Sequence, residues 1–338
     1  MSQWGVMAKT EELVRLSGVS RSTVFRFLRG DNVRPEARIA ILEAMGRLNI
    51  RHEDHSVHKN TTLLISIRPD FKVFKGYDLS INGFIEKADS YGFRVELKTG
   101  SSLAAIEGGK NAPPPAGVLI LGKPVAEEEE ESALLRKAHI PHVFVNRMFD
   151  DLTYSWVSVN HREAAREAVS HLFGLGHREV GTWGVTSSYR IDRDKRIGYQ
   201  AVHAERNLPI PDSCLDFDRH GDLEVAIQAL IDEGRLPSAW FAASDEHAMR
   251  FIKVARENNI RVPEDVAIVG MDDVGLAEYL NPPLTTIHIP FREAGAAALE
   301  CLRHLIENPT EDAIHMVMKY SLVIRESCGS KSVISRTK

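Results

Sequence analysis

Apolar residues recur with two different periods along the 338-residue chain. In TEELVRLSGVSRSTVFRFLRG, starting at Thr10, Leu13 and Leu16 share one helix face and Gly18 interrupts that helix. Ser20 suits the cap of a second helix that turns Val24, Phe27 and Leu28 inward. Pro35 fits the first turn of a third, in which Ile39, Leu42, Met45 and Leu48 repeat every three residues. This predicts helix, tight turn, helix, and a supporting helix.

Beyond residue 60 the pattern changes. Strand-like runs at 62–67, 94–97, 117–121, 142–145, 156–159, 179–183, 239–242 and 266–269 alternate with amphipathic stretches at 79–91, 127–138, 161–175, 196–206, 224–233 and 247–258. Such alternation predicts parallel sheets covered by helices on both faces, and the strands are too numerous for one ordinary sheet. The expected fold is a small all-α head (1–50), a linker (51–60) and an α/β body (61–338) of two doubly wound lobes.

Composition narrows the class. With 43% hydrophobic and 26% charged residues the chain is an ordinary globular one. It has no run of the ~20 apolar residues that would cross a bilayer and no basic-then-apolar leader, so a cytoplasmic protein with no membrane partner is expected. Cys214, Cys301 and Cys328 are far apart and form no CxxC, so neither a metal nor another cofactor is expected. The net charge of -5 hides a division: residues 1–60 carry 10 Lys/Arg against 7 Asp/Glu, a balance of +3, which leaves -8 for the rest. A positive head is where phosphate would bind. Arg21, Ser22 and Arg26 lie on the outer side of the second helix near its start, with Arg29 at its end, within reach of base edges and phosphates. Spacing alone also allows a three-helix bundle with a solvated basic face.

The residues themselves carry a resemblance. SGVSRSTVFRFLRG is similar to the DNA-binding head of the lactose-repressor-like (LacI/GalR) bacterial transcription regulators, whose pattern is AGVSxxTVSRxLNG. The resemblance implies that Arg21, Ser22 and Arg26 read the major groove of double-stranded operator DNA and that Thr23 and Arg29 hold its backbone. Phe25 stands where the family usually has Ser, and Arg29 where it has Asn, departures that bear on the operator sequence. LGHREV (175–180), RVPEDVAIVGMDD (261–273) and LAEYLNPPLTTI (276–287) resemble the family's effector-binding core, so the likeness runs roughly from Lys9 to Arg325.

It implies a body similar to type I periplasmic sugar-binding proteins, with a small-molecule effector, a sugar or related metabolite, held between the lobes. By position in the family motifs, Asp272 would accept hydrogen bonds from ligand hydroxyls, and Asp273 would cap its loop. Lys195 replaces the usual effector-binding Arg, with Arg196 beside it. Asn146 and Arg147 stand where relatives have Asp-Arg. Ser244 and Asp245 open a helix, so capping rivals ligand binding there, and Tyr77 and Phe291 would offer flat contacts or fill the core. The implied function is a sequence-specific regulator, expected to be a repressor, whose operator affinity the effector controls. The tail after Arg325 is too short for a tetramerising coiled coil, so a homodimer is expected.

Other features read as bland. The run Glu127 to Glu131 near a helix start is expected to be solvated and to favour the helix dipole. His52, His55 and His58 lack the partners of a metal motif, and Gly108-Gly109-Lys110 lacks the spacing of a phosphate loop. No GxSxG, HExxH or Cys/His arrangement is present, so catalysis is not expected. A sugar-binding transport component or a sugar-processing enzyme on the same scaffold is the alternative. The joint IRHEDHSVHKN lacks the Ala-Arg and the wedge Leu of the family's hinge; Val57 could wedge weakly, and the three histidines could touch phosphate when protonated.

Overall fold

The computed structural model describes residues 3–28, 33–48, 61–68, 76–100, 114–122, 128–185, 189–211, 214–216 and 222–330. The joint at 51–60, with Val57 and its three histidines, lies outside them, as do Arg29, residues 108–110 and Glu127.

The head is α1 (Gln3–Ser17), α2 (Arg21–Leu28) and α3 (Pro35–Arg47). Gly18 ends α1 at φ 66°, a left-handed value that a side chain would strain, and its N–H donates to the Val14 carbonyl at 3.1 Å. Leu13, Val24, Phe27, Ile41, Ala44 and Met45 form the core. The every-three reading of α3 is corrected here. Its innermost face is Ile41, Ala44 and Met45, with Leu42 and Leu48 packed at the margin and Ile39 only half-buried. At 3.6 residues per turn, a stripe stepping by three drifts off the face and one stepping by three and four does not.

Two compact units make up the chain. One combines the head and β1 with Tyr77–Val157 and Phe291–Met316; the other holds Ser158–Pro290 and the chain from Val317. In the first, β1 (Thr62–Ile67), α4 (Tyr77–Ser90), β2 (Arg94–Thr99), β3 (Gly117–Leu121), α5 (Glu128–Lys137), β4 (His142–Val145) and β5 (Ser155–Val159) follow one another. In the second come α6 (His161–Gly174), β6 (Val180–Val185), α7 (Arg190–Glu205), β7 (Cys214–Asp216), α8 (Leu223–Asp232), β8 (Ala239–Ala242), α9 (Asp245–Glu257), β9 (Ala267–Asp272) and β10 (Thr285–His288). α10 (Phe291–Glu307) returns to the first unit, and β11 (His315–Met318) and β12 (Ser321–Val323) edge the two sheets. α7 starts at Arg190, six residues ahead of the 196–206 expectation, because its first turns are polar and carry no apolar period.

The sheet orders are β11-β5-β4-β3-β1-β2 and β12-β10-β9-β8-β6-β7. Within each, the five core strands pair parallel in the same doubly wound order, and only β12 is recorded antiparallel, against β10. The order reverses between β1 and β3 and between β6 and β8, so loops diverge there and leave a crevice at the strands' carboxyl ends. Strands such as β3 and β6 are buried throughout, which is why they read as unbroken apolar runs. α4 and α10 cross at contact: a Cβ on Gly83 would lie 1.9 Å from the Arg292 carbonyl oxygen, and one on Gly295 1.9 Å from that of Ser80. Ser80 Oγ also donates to the Phe291 carbonyl at 3.0 Å. Among the described residues no helix is long and apolar enough to cross a membrane.

Candidate functional site

In the second unit the carboxyl ends of β6, β8 and β9 gather polar groups. Lys195, one turn into α7 and 7% exposed, donates from Nζ to the Ala243 carbonyl at 2.7 Å and lies 3.8 Å from Asp192. Ser244 follows at once and caps α9, its Oγ accepting from the His247 N–H at 3.3 Å and meeting His247 Nδ1 at 2.9 Å. The structure therefore gives Ser244 a capping bond. Asp245 is fully buried: one oxygen accepts from Thr286 Oγ1 at 2.5 Å and the other from the Val274 N–H at 2.9 Å. Of the two roles open to it, the framework one is therefore occupied by both oxygens. Burial first, and then the Asp272 charge, push the Asp245 carboxyl well above the usual carboxylate range.

Asp272 ends β9 and is 8% exposed. It adopts φ 121° and Asp273 follows at φ 57°, two successive residues in a region that non-glycine residues rarely enter. Asp273 is fastened by Arg325 Nη2 at 2.7 Å and by His288 Nδ1 at 3.0 Å, the loop-holding part expected of it. Arg196 is half-buried on the next position of α7.

The first unit makes a different corner. Arg68, directly after β1, has a fully buried side chain; its Nη2 donates to Glu131 at 2.5 Å and reaches Glu128 at 3.5 Å. Its N–H donates to the Leu121 carbonyl at 2.9 Å, across the point where the strand order reverses. Arg147 binds Glu128 through both terminal nitrogens, one of them at 2.5 Å, and its guanidinium lies 4.9 Å from the centroids of Phe144 and Phe149. Arg147 is thus drawn into an ion pair within the protein. One expectation is corrected: the acidic run is not wholly solvated. Glu128 and Glu131 are buried, while Glu129 and Glu130 are exposed. Sequence reasoning missed Arg68; the signal was a charged residue abutting an unbroken apolar strand. Asn146, at φ 56° behind β4, is half-buried, and Tyr77 and Phe291, opening α4 and α10, are 6% and 2% exposed.

In the head, Ser20 Oγ accepts from the Thr23 N–H at 3.3 Å and pairs with Thr23 Oγ1 at 2.8 Å, capping α2. Arg21, Ser22, Phe25 and Arg26 are exposed on the side opposite Val24 and Phe27, with the Arg21 guanidinium 5.7 Å from the Phe25 ring centroid. Phe25 thus stiffens an arginine on the outer face. No group of three or more metal-ligating side chains occurs among the described residues.

Residues 169–328 match the model of a periplasmic binding protein-like domain. Catabolite control protein A of Priestia megaterium is 27% identical over 331 residues, covering 94% of this chain and 98% of its own. The transcriptional regulator CelR of Thermobifida fusca is 28% identical over 338 residues, covering 94% and 97%. A solved CelR–cellobiose complex superposes with a TM-score of 0.67 at 26% identity, over 94% of this chain and 99% of that one. These likenesses span head and body together, and the proteins they join to this chain are regulators, not enzymes. With an exposed basic face on α2 and a polar corner at the carboxyl ends of β8 and β9, the chain is similar over nearly its whole length to lactose-repressor-like (LacI/GalR) regulators, and it is a ligand-controlled, DNA-binding transcription regulator.

Proposed function

We propose that the protein is a repressor that binds a pseudo-palindromic operator as a homodimer and responds to a sugar or a closely related polyhydroxylated metabolite. The observation that carries the effector class is the strained pair Asp272 and Asp273. Backbone in so costly a conformation persists where the surroundings over-determine it, and such residues cluster at ligand clamps. Asp273 is held by Arg325 and His288, which sets the direction of Asp272. A neutral Asp245 beside it leaves the negative charge of the corner to Asp272, an acceptor for ligand hydroxyls. Lys195 uses one of its three ammonium donors on Ala243 and supplies others. Cellobiose in the complex of the regulator CelR has the same hydroxyl-rich chemistry. Arg196, Asn146, Tyr77 and Phe291 are second candidates for contact with the effector. On the head, Arg21, Ser22 and Arg26 read bases, and Thr23 touches the backbone.

The test is a thermal-shift screen over neutral sugars, followed by gel shifts on the protein's own promoter. A sugar at 100 times its Kd stabilises the native state by ~2.7 kcal/mol. Asp272→Ala is expected to abolish that shift while leaving operator binding intact. A full shift in the variant refutes the assignment.

A further inference from the structure

On the opposite end of the second unit, at the amino end of β6, a hollow of about 440 Å3 opens beneath the last turns of α7 and α8. That volume is within the ~300–1,000 Å3 of small-molecule sites. His203, 1% exposed, forms part of its wall. Its Nδ1 lies 3.1 Å from the Tyr199 carbonyl oxygen, so Nδ1 carries the hydrogen and donates. Nε2 is then an acceptor, and it is buried with no hydrogen-bond partner. Burial pushes the ring's pKa down, which keeps it neutral.

A buried acceptor left unmatched is costly, a deficit that a ligand hydroxyl would remove. Around the same hollow stand the exposed Arg178 and Arg235, with Glu179 beside them and Arg235 Nη1 donating to Glu233 at 2.8 Å. Leu208, Pro209 and Leu230 supply an apolar wall. Two guanidinium groups suit one carboxylate or phosphate, and Glu179 disfavours a second anionic group. The loop is fixed in advance: Asn207 takes φ 53°, and the Leu208 N–H donates to the His203 carbonyl at 2.9 Å.

We infer that this hollow is a second small-molecule site, separate from the Asp272 corner, for a compact hydroxylated compound bearing one anionic group. The anion sits on Arg178 and Arg235, and a hydroxyl donates to His203 Nε2.

The probe is glycerol 3-phosphate, titrated into the full chain by calorimetry, with inorganic phosphate and glycerol run separately. The ester is expected to bind more tightly than either part, and to move the 15N resonance of His203 Nε2. Arg178→Gln, at an exposed position, is expected to weaken binding ~10-fold or more. His203→Phe, which keeps a ring but has no acceptor, should weaken it as well, and Asp272→Asn should leave it unchanged. Absence of binding up to ~20 mM, far weaker than the ~1 mM of a weak specific site, overturns the inference. So does affinity retained in both Arg178→Gln and His203→Phe, or lost in Asp272→Asn.

Discussion

The two units repeat one strand order and finish it with opposite electrostatics. In the first, Arg68 and Arg147 meet Glu128 and Glu131, so the corner behind β1 and β4 is balanced in charge, while Arg68 Nε and Nη1 stay buried without a hydrogen-bond partner. In the second, Asp245, Asp272 and Asp273 share a corner in which Asp273 has its own cation and the other two compete for charge. The contrast teaches how one strand order can carry a charge-balanced corner in one unit and a net acidic one in the other. An acidic corner suits the proposed effector site, because a carboxylate whose neighbour is pushed toward the neutral form keeps its negative charge for hydroxyl donors.

The most severe way to break the balanced corner is Glu131→Ala. It strips the fully buried Arg68 of its nearer carboxylate, and urea unfolding should register a loss of ~3–5 kcal/mol. A loss below ~1 kcal/mol would mean that the network contributes no framework.

Acid sharpens the comparison next. His142 is a buried base in the first unit, near Glu131 and Arg136, and burial pushes its pKa down to about 4 from 6.5. The unfolded chain therefore takes up a proton that the folded one refuses. Stability should decline by ~3 kcal/mol as pH drops from 6.5 to 4, and His142→Phe should flatten that slope. An unchanged slope in denaturant titrations of the variant would assign the decline to other groups.

Asp245 is the mirror case, a buried acid pushed toward its neutral form by burial and by the Asp272 charge. Folding retains a proton that the unfolded carboxyl releases, so its contribution is greatest in acid and is lost as pH rises above the ordinary carboxylate range. At neutral pH Asp245→Ala should cost ~2 kcal/mol, because Thr286 and Val274 lose their acceptors, and Asp245→Asn less than ~1 kcal/mol. Equal losses in the two variants, followed by chemical denaturation, would place a full charge on the native Asp245.

Much of this was legible in the chain itself. The head's turn, the alternation of strands and helices and the body motifs fixed the class, because periodicity and Gly, Pro and Ser punctuation act locally. What stayed hidden was pairing across the fold. Five glutamates in a row look solvated until β1 brings an arginine to two of them, and Asp245 can be read as cap or ligand group until Thr286, 41 positions later, arrives at its carboxyl. The inward face of α3 was misread for a simpler reason, an integer step imposed on a 3.6-residue turn.

The crossing of α4 and α10 has a consequence for how the protein is made. The surface that Gly83 offers is answered by the Arg292 backbone, which leaves the ribosome only after the whole of Ser158–Pro290 has been synthesised. The first unit begun thus stays open until most of the second has been made, and its unpaired apolar helix face must wait in the cell for a partner still in translation. The second unit in turn closes only when the chain from Val317, with the edge strand β12 and Arg325, has followed α10. Neither unit is a single run of sequence, so each is finished only near the end of synthesis.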